Sequence, residues 1–110
     1  MLIAQVKQFL RERDWEKYHK PKDLAESICI EAAELLQLFQ WTTPVESEQF
    51  RNNPSKVQRV KEELADVLLY CLSMANTLDI DLTSAILCKI ELNRKKYPAH
   101  LYKGKAHVSQ

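Results

Sequence analysis

Residues 30–41, IEAAELLQLFQW, and 61–70, KEELADVLLY, each set two acids three positions apart inside a run apolar enough for a helix core. On a helix of 3.6 residues per turn, Glu31 and Glu34 point the same way, as do Glu63 and Asp66. Paired like charges at this spacing repel by a few tenths of a kcal/mol even when exposed, and desolvating them unpaired costs several kcal/mol more. A bound divalent cation removes both penalties. If the two helices pack antiparallel, all four acids face one cleft and present oxygen ligands alone, a donor set suited to Mg²⁺ or Mn²⁺. An arbitrary E-x-x-E on a helix is most often a solvated face. These pairs differ in interrupting apolar runs and in recurring on a second helix. A di-iron carboxylate bundle would place His three residues after Glu, where this chain has Glu34 and Asp66, and His19, His100 and His107 fall in connectors or the tail.

The rest of the chain reads as helix and connector. Gly occurs once, at Gly104, and no stretch alternates apolar and polar residues as a half-buried strand requires. A first helix spans about Leu2 to Asp14 and ends before Pro21. Asp23 and Glu26 have the spacing of a capping box for a second helix that continues to about Gln40. The polar linker from Thr43 to Pro54 has room for a short helix over VESEQF. Ser55 is positioned to cap a third helix running to about Leu78, and Asp79 or Asp81 opens a fourth that stops before Pro98. The expectation is an all-α, four-helix domain over residues 1–98, followed by a polar, flexible tail over 99–110.

The second and third helices are apolar over more than one face, and four short helices cannot cover that surface within one chain, so a homo-oligomer is expected. A hydrophobic content of 45% with 28% charged residues indicates a soluble chain, and a net charge of +1 offers no global attraction to nucleic acid or membrane. No apolar run is long enough to span a bilayer and no export signal is visible. Cys29, Cys71 and Cys88 are odd in number and unpaired by spacing, which reads as reduced core thiols in a cytoplasmic protein.

Other residues gather near the acid faces. Tyr70 lies one turn past Asp66, within reach of the cleft or packed in the core. Lys89, Asn93 and Lys96 share a stripe that can bind phosphate oxygens, although a solvated basic helix end accounts for Lys96 with Arg94 and Lys95 equally well. Trp15, Tyr18, His19 and Trp41 sit at or beyond helix ends, where an aromatic face either packs or stacks on a nucleobase.

The order Glu31-x-x-Glu34 then Glu63-x-x-Asp66, with RDWEKYH, ELLQLFQW, EELADVLLY and KIELNRKKYPAH, resembles the all-α nucleoside triphosphate pyrophosphohydrolases of the MazG type, close to the small dCTP pyrophosphatase branch. The resemblance covers about Arg13 to Leu101. It implies Mg²⁺ held by Glu31, Glu34, Glu63 and Asp66, a base and sugar pocket lined by Trp15, His19, Trp41 and Tyr70, and Lys89 and Asn93 near the phosphates. It further implies hydrolysis of a deoxynucleoside triphosphate, dCTP or a non-standard nucleotide, to the monophosphate and pyrophosphate, with Glu34 or Glu63 serving the attacking water. A homodimer or a dimer of dimers is the implied assembly. One departure is Val6, where vertebrate members place a pocket histidine. The reading from another class is a non-catalytic helical oligomerisation module whose acids pair with Lys89, Arg94 or Lys96.

Overall fold

The computed structural model of the chain describes residues 1–105, and all regular structure among them is helical. In order come α1 (Leu2–Glu12), α2 (Pro21–Gln37), α3 (Pro44–Glu48), α4 (Pro54–Thr77), α5 (Leu82–Lys96) and α6 (Ala99–Tyr102), with 3₁₀ turns at Glu16–Tyr18 and Gln49–Asn52. The four long helices fall where the apolar periodicity puts them, and the short α3 occupies the linker position expected of it. Residues 106–110, including His107 and most of the expected tail, lie outside the described residues. The start of that tail forms α6, which carries His100.

The starts of α2, α3 and α4 are set by proline rather than by the polar residue after it. α2 begins at Pro21 with Lys20 extended before it, and Leu24 N–H donates to Lys20 O at 2.9 Å. Asp23 therefore stands in the first turn, favourable to the macrodipole, instead of capping it as expected. Likewise α4 is capped by Asn53, whose Oδ1 accepts from Lys56 N–H at 3.2 Å, and not by Ser55. Pro54 lacks an N–H and has φ preset for the first helical position, so the cap moves to the residue ahead of it. Thr43 caps α3, its Oγ1 accepting from Glu46 N–H while its hydroxyl donates to the Glu46 carboxylate, and Asp81 caps α5 by accepting from Ser84 N–H and Oγ–H.

The described chain divides into two compact units, Met1–Asp79 and the segment from Ile80 onward. In the first, α2 and α1 both pack on α4. Each helix buries one apolar anchor, Leu10, Leu24 and Ala75, of which Leu24 is 1% exposed. α2 runs antiparallel to α4: Glu31 and Asp66 line one hollow, Leu38 and Arg59 another, and Thr77 Oγ1 donates to His19 O. The second unit consists of α5, α6 and their connections, and none of its described residues is buried.

Much apolar surface on the helices stays open in the single chain, including Ile30 (59% exposed) and Leu36 (64%) on α2, Leu64 and Leu68 on α4, and Ile86, Leu87, Ile90 and Leu92 on α5. Cysteine burial differs from expectation for the same reason: Cys29 and Cys88 are exposed, Cys71 is half-buried, and all three are free thiols. Cys29 follows Ile28 on a helix with more apolar surface than α4 alone covers.

Candidate functional site

Antiparallel packing of α2 on α4 brings acids from both helices together in the first unit. Carboxylate oxygens of Glu31, Glu63 and Asp66 lie within 4.8 Å of one another. Glu34 stands outside that triad but near enough for its charge to act on both Glu31 and Glu63. The pairing follows from spacing: Glu31 and Glu34 occupy successive turns of α2, Glu63 and Asp66 successive turns of α4, and antiparallel helices align the two pairs.

The electrostatics of this arrangement are unfavourable without a cation. Burial pushes the Glu31 carboxyl above the ordinary carboxylate range, and the Glu34, Asp66 and Glu63 charges push it further. Burial also raises Glu63, with Glu34 and Asp66 adding to the shift. Oε2 of Glu31 and Oε2 of Glu63 are shielded from solvent with no hydrogen-bond partner in the protein. Buried carboxylate oxygens without donors are rare because they forfeit hydration with nothing in return. An all-oxygen donor set with orphaned buried oxygens fits a hard divalent cation, and Glu31, Glu63 and Asp66 with neighbouring Glu34 are the residues to hold it.

Beside the acids opens a cleft of about 420 Å³, a size suited to a nucleotide-scale ligand. Its walls are one stripe of α1 (Leu2, Gln5, Val6, Phe9, Leu10), one stripe of α4 (Asp66, Leu69, Tyr70, Ser73), Glu31 of α2, and Trp15 and His19 from the α1–α2 connector. The connector is set by a reversal after α1, where Asp14 takes a left-handed conformation (φ 54°) and Trp15 N–H reaches back to Leu10 O at 2.9 Å. Asp tolerates that region better than most residues. The reversal lays the Trp15 indole edge-on to Phe9, ring centroids 5.8 Å apart, and the following turn sets His19 6.2 Å from the Tyr70 ring. His19 Nδ1 is shielded from solvent and has no partner in the protein, so a polar atom at the cleft is left for a ligand.

Of the expected site residues, the structure gathers Glu31, Glu34, Glu63, Asp66, Trp15, His19 and Tyr70 in one region. Trp41 is elsewhere: α2 stops at Gln37, the chain turns through Leu38–Trp41, and the indole is 88% exposed and lines neither hollow of the first unit. Lys89 and Asn93 are exposed positions on α5 in the second unit. Gln5, Phe9, Leu69 and Ser73 were missed by sequence reasoning. Ser73 had a signal, because 66, 70 and 73 continue the acid stripe along α4, and it is the buried polar side chain (4% exposed) among the described residues. Gln5 had none, since a single glutamine on an amphipathic helix reads as solvated.

Comparison with known proteins identifies the family. The model of the MazG-like family matches residues 26–106. Curated relatives named dCTP pyrophosphatase 1 are 42% identical over 94 residues in Homo sapiens and 39% identical over 99 residues in Bos taurus, covering 86% and 90% of this chain. The chain spans only 55% and 59% of the length of those two relatives. A solved structure described as a pyrophosphatase, from Archaeoglobus fulgidus, superimposes with a TM-score of 0.80 at 43% identity, covering 88% of this chain and 89% of that one. With the family model matching residues 26–106, a stretch that includes both acid pairs, and relatives about 40% identical over most of its length, the chain belongs to the MazG-like family.

Proposed function

We propose that the chain is a Mg²⁺-dependent pyrophosphohydrolase that converts a deoxynucleoside triphosphate, dCTP or a modified or non-standard nucleotide, to the monophosphate and pyrophosphate, and so cleanses the nucleotide pool. The observation that carries this reading is the junction of two features: carboxylates of Glu31, Glu63 and Asp66 within 4.8 Å of one another, at the edge of an aromatic cleft that admits a base. The pyrophosphatase names of the relatives and of the solved neighbour support the same chemistry.

Mg²⁺ bound to the acids supplies charge neutralisation for the phosphate oxygens around the scissile bond. The protein does the rest. Trp15 and Phe9 offer an aromatic wall for the base, and the unpartnered His19 Nδ1 is left to hydrogen-bond the base or sugar. Tyr70 beside His19 closes the sugar end. Glu34, whose charge acts on Glu31 and Glu63, takes a proton from the attacking water as it adds to the α-phosphorus. Val6 presents no polar group to the base, which predicts modest discrimination, with dCTP accepted but not exclusive.

The assembly is a homodimer or a dimer of dimers, in which a second copy covers the open faces of α2 and α4 and contributes Trp41, Lys89 and Asn93 to the pocket. The free thiols fit a reducing, cytoplasmic setting. Profiling purified protein against a panel of triphosphates with Mg²⁺ tests the reading. The expected early products from dCTP are dCMP and pyrophosphate, with Mn²⁺ replacing Mg²⁺ and Ca²⁺ a poor substitute. Early dCDP and orthophosphate would place the attack at the γ-phosphorus and contradict it.

A further inference from the structure

We propose that Lys56 and Arg59 form a polyphosphate subsite that receives the β- and γ-phosphates of the substrate, on the side of the acids opposite the aromatic cleft. The inference rests on the nucleotide reading above and extends it to residues that neither the sequence motifs nor the family resemblance singles out. A second hollow of about 160 Å³ in the same unit is lined by Leu38, Thr42, Phe50, Lys56 and Arg59. Lys56 Nζ lies 4.7 Å from the Phe50 ring centroid, and Phe50 stacks on Phe39 at 4.6 Å, so the hollow has a firm aromatic floor. Among the described residues neither cation belongs to an ion pair, and the Arg59 guanidinium has no hydrogen-bond acceptor. Two cations facing one small hollow without an acid between them favour an anion.

Position then specifies which anion. Lys56, Arg59, Glu63, Asp66, Tyr70 and Ser73 recur on α4 at alternating spacings of three and four, which makes one continuous seam along the helix. α2 answers it with Glu31, Glu34 and Leu38 at the same spacing. Along that seam the base cleft lies at the Tyr70–Ser73 end, the acids in the middle, and the cationic hollow at the Lys56–Arg59 end. A rise of 1.5 Å per residue puts Arg59 about 6 Å and Lys56 about 10 Å along the axis from Glu63. With the base in the cleft and the α-phosphate at the acids, the remaining phosphates extend toward the two long side chains. Arg59 is suited to a bidentate contact with a phosphate, and Lys56 adds a point charge.

Inorganic tripolyphosphate with Mg²⁺ is the probe, titrated calorimetrically into the full chain and into a K56Q/R59Q double variant, alongside dCTP kinetics. The double variant should bind tripolyphosphate ~10-fold or more weakly and raise the KM for dCTP by a similar factor, with kcat changed less than ~3-fold. Inhibition by dCMP, which does not reach past the acids, should be unchanged. K61Q removes a charge from an exposed position of α4 off the seam and should alter none of these quantities. Equal tripolyphosphate affinity in wild type and double variant, an equal loss in K61Q, or a dCMP inhibition constant that rises in step would each overturn the subsite. A wild-type chain that binds tripolyphosphate through Lys56 and Arg59 yet hydrolyses no triphosphate would uphold the subsite and overturn the pyrophosphohydrolase reading.

Discussion

Glu63 is a carboxylate whose charged form is disfavoured by its surroundings in the fold. Its Oε2 is shielded and unpartnered, and burial with the charges of Glu34 and Asp66 raises its proton affinity. Replacing Glu63 by Gln keeps the shape and removes the charge, so Mg²⁺-dependent turnover should fall by orders of magnitude while the helical circular dichroism is preserved. A variant with near wild-type turnover would remove Glu63 from the metal site. The pH dependence has a definite sign. Glu31 and Glu63 are raised in the folded chain, so between their unfolded and folded values the folded state holds protons that the unfolded state has released. Their favourable contribution is therefore present in acid and is lost as pH climbs through the raised values. In chelator, the melting temperature of Glu63→Gln should match wild type at the acid end of the carboxylate range and exceed it increasingly toward neutral pH. Mg²⁺ should then close that gap by stabilising wild type more than the variant. A gap that shrinks with rising pH in chelator would contradict the cause assigned here.

At the scale of elements, the starts of α2 and α4 show which local signals prevail. Pro21 and Pro54 take the first helical position, and the residue ahead of each becomes the boundary. For α4 the boundary residue also caps, through Asn53 Oδ1, and Asn53→Ala should cost ~1 kcal/mol in chemical denaturation, whereas Ser55→Ala should cost a few tenths at most. If Ser55→Ala costs the more, the cap lies where the sequence alone suggests. The existence, order and approximate length of the four long helices were legible because 3.6-residue periodicity and proline punctuation act locally. The caps were misread because serine and aspartate near a helix start satisfy the same rule from two positions, and only the backbone geometry chooses. The Trp15 reversal was not legible either, since it depends on Asp14 adopting a left-handed conformation that residue type permits without requiring.

For the whole molecule, open apolar surface on α2, α4 and α5 predicts self-association, and an active monomer by light scattering would refute the shared pocket. Trp41 carries the sharper test. If a second copy brings it to the base, Trp41→Ala should lower kcat/KM roughly 5- to 150-fold, mostly through KM, and unchanged kinetics for every triphosphate would exclude it. By itself the sequence determined the all-helical class, the two acid pairs and the aromatic and histidine candidates, because side-chain spacing on a helix is a property of neighbouring residues. Only the tertiary structure decided that α2 runs antiparallel to α4 so that both pairs converge, that Trp15 and His19 fold back over α4 while Trp41 turns away, and that the seam continues past the acids to Lys56 and Arg59. Those outcomes depend on where one helix meets another, and such meetings are set by packing between residues far apart in the chain.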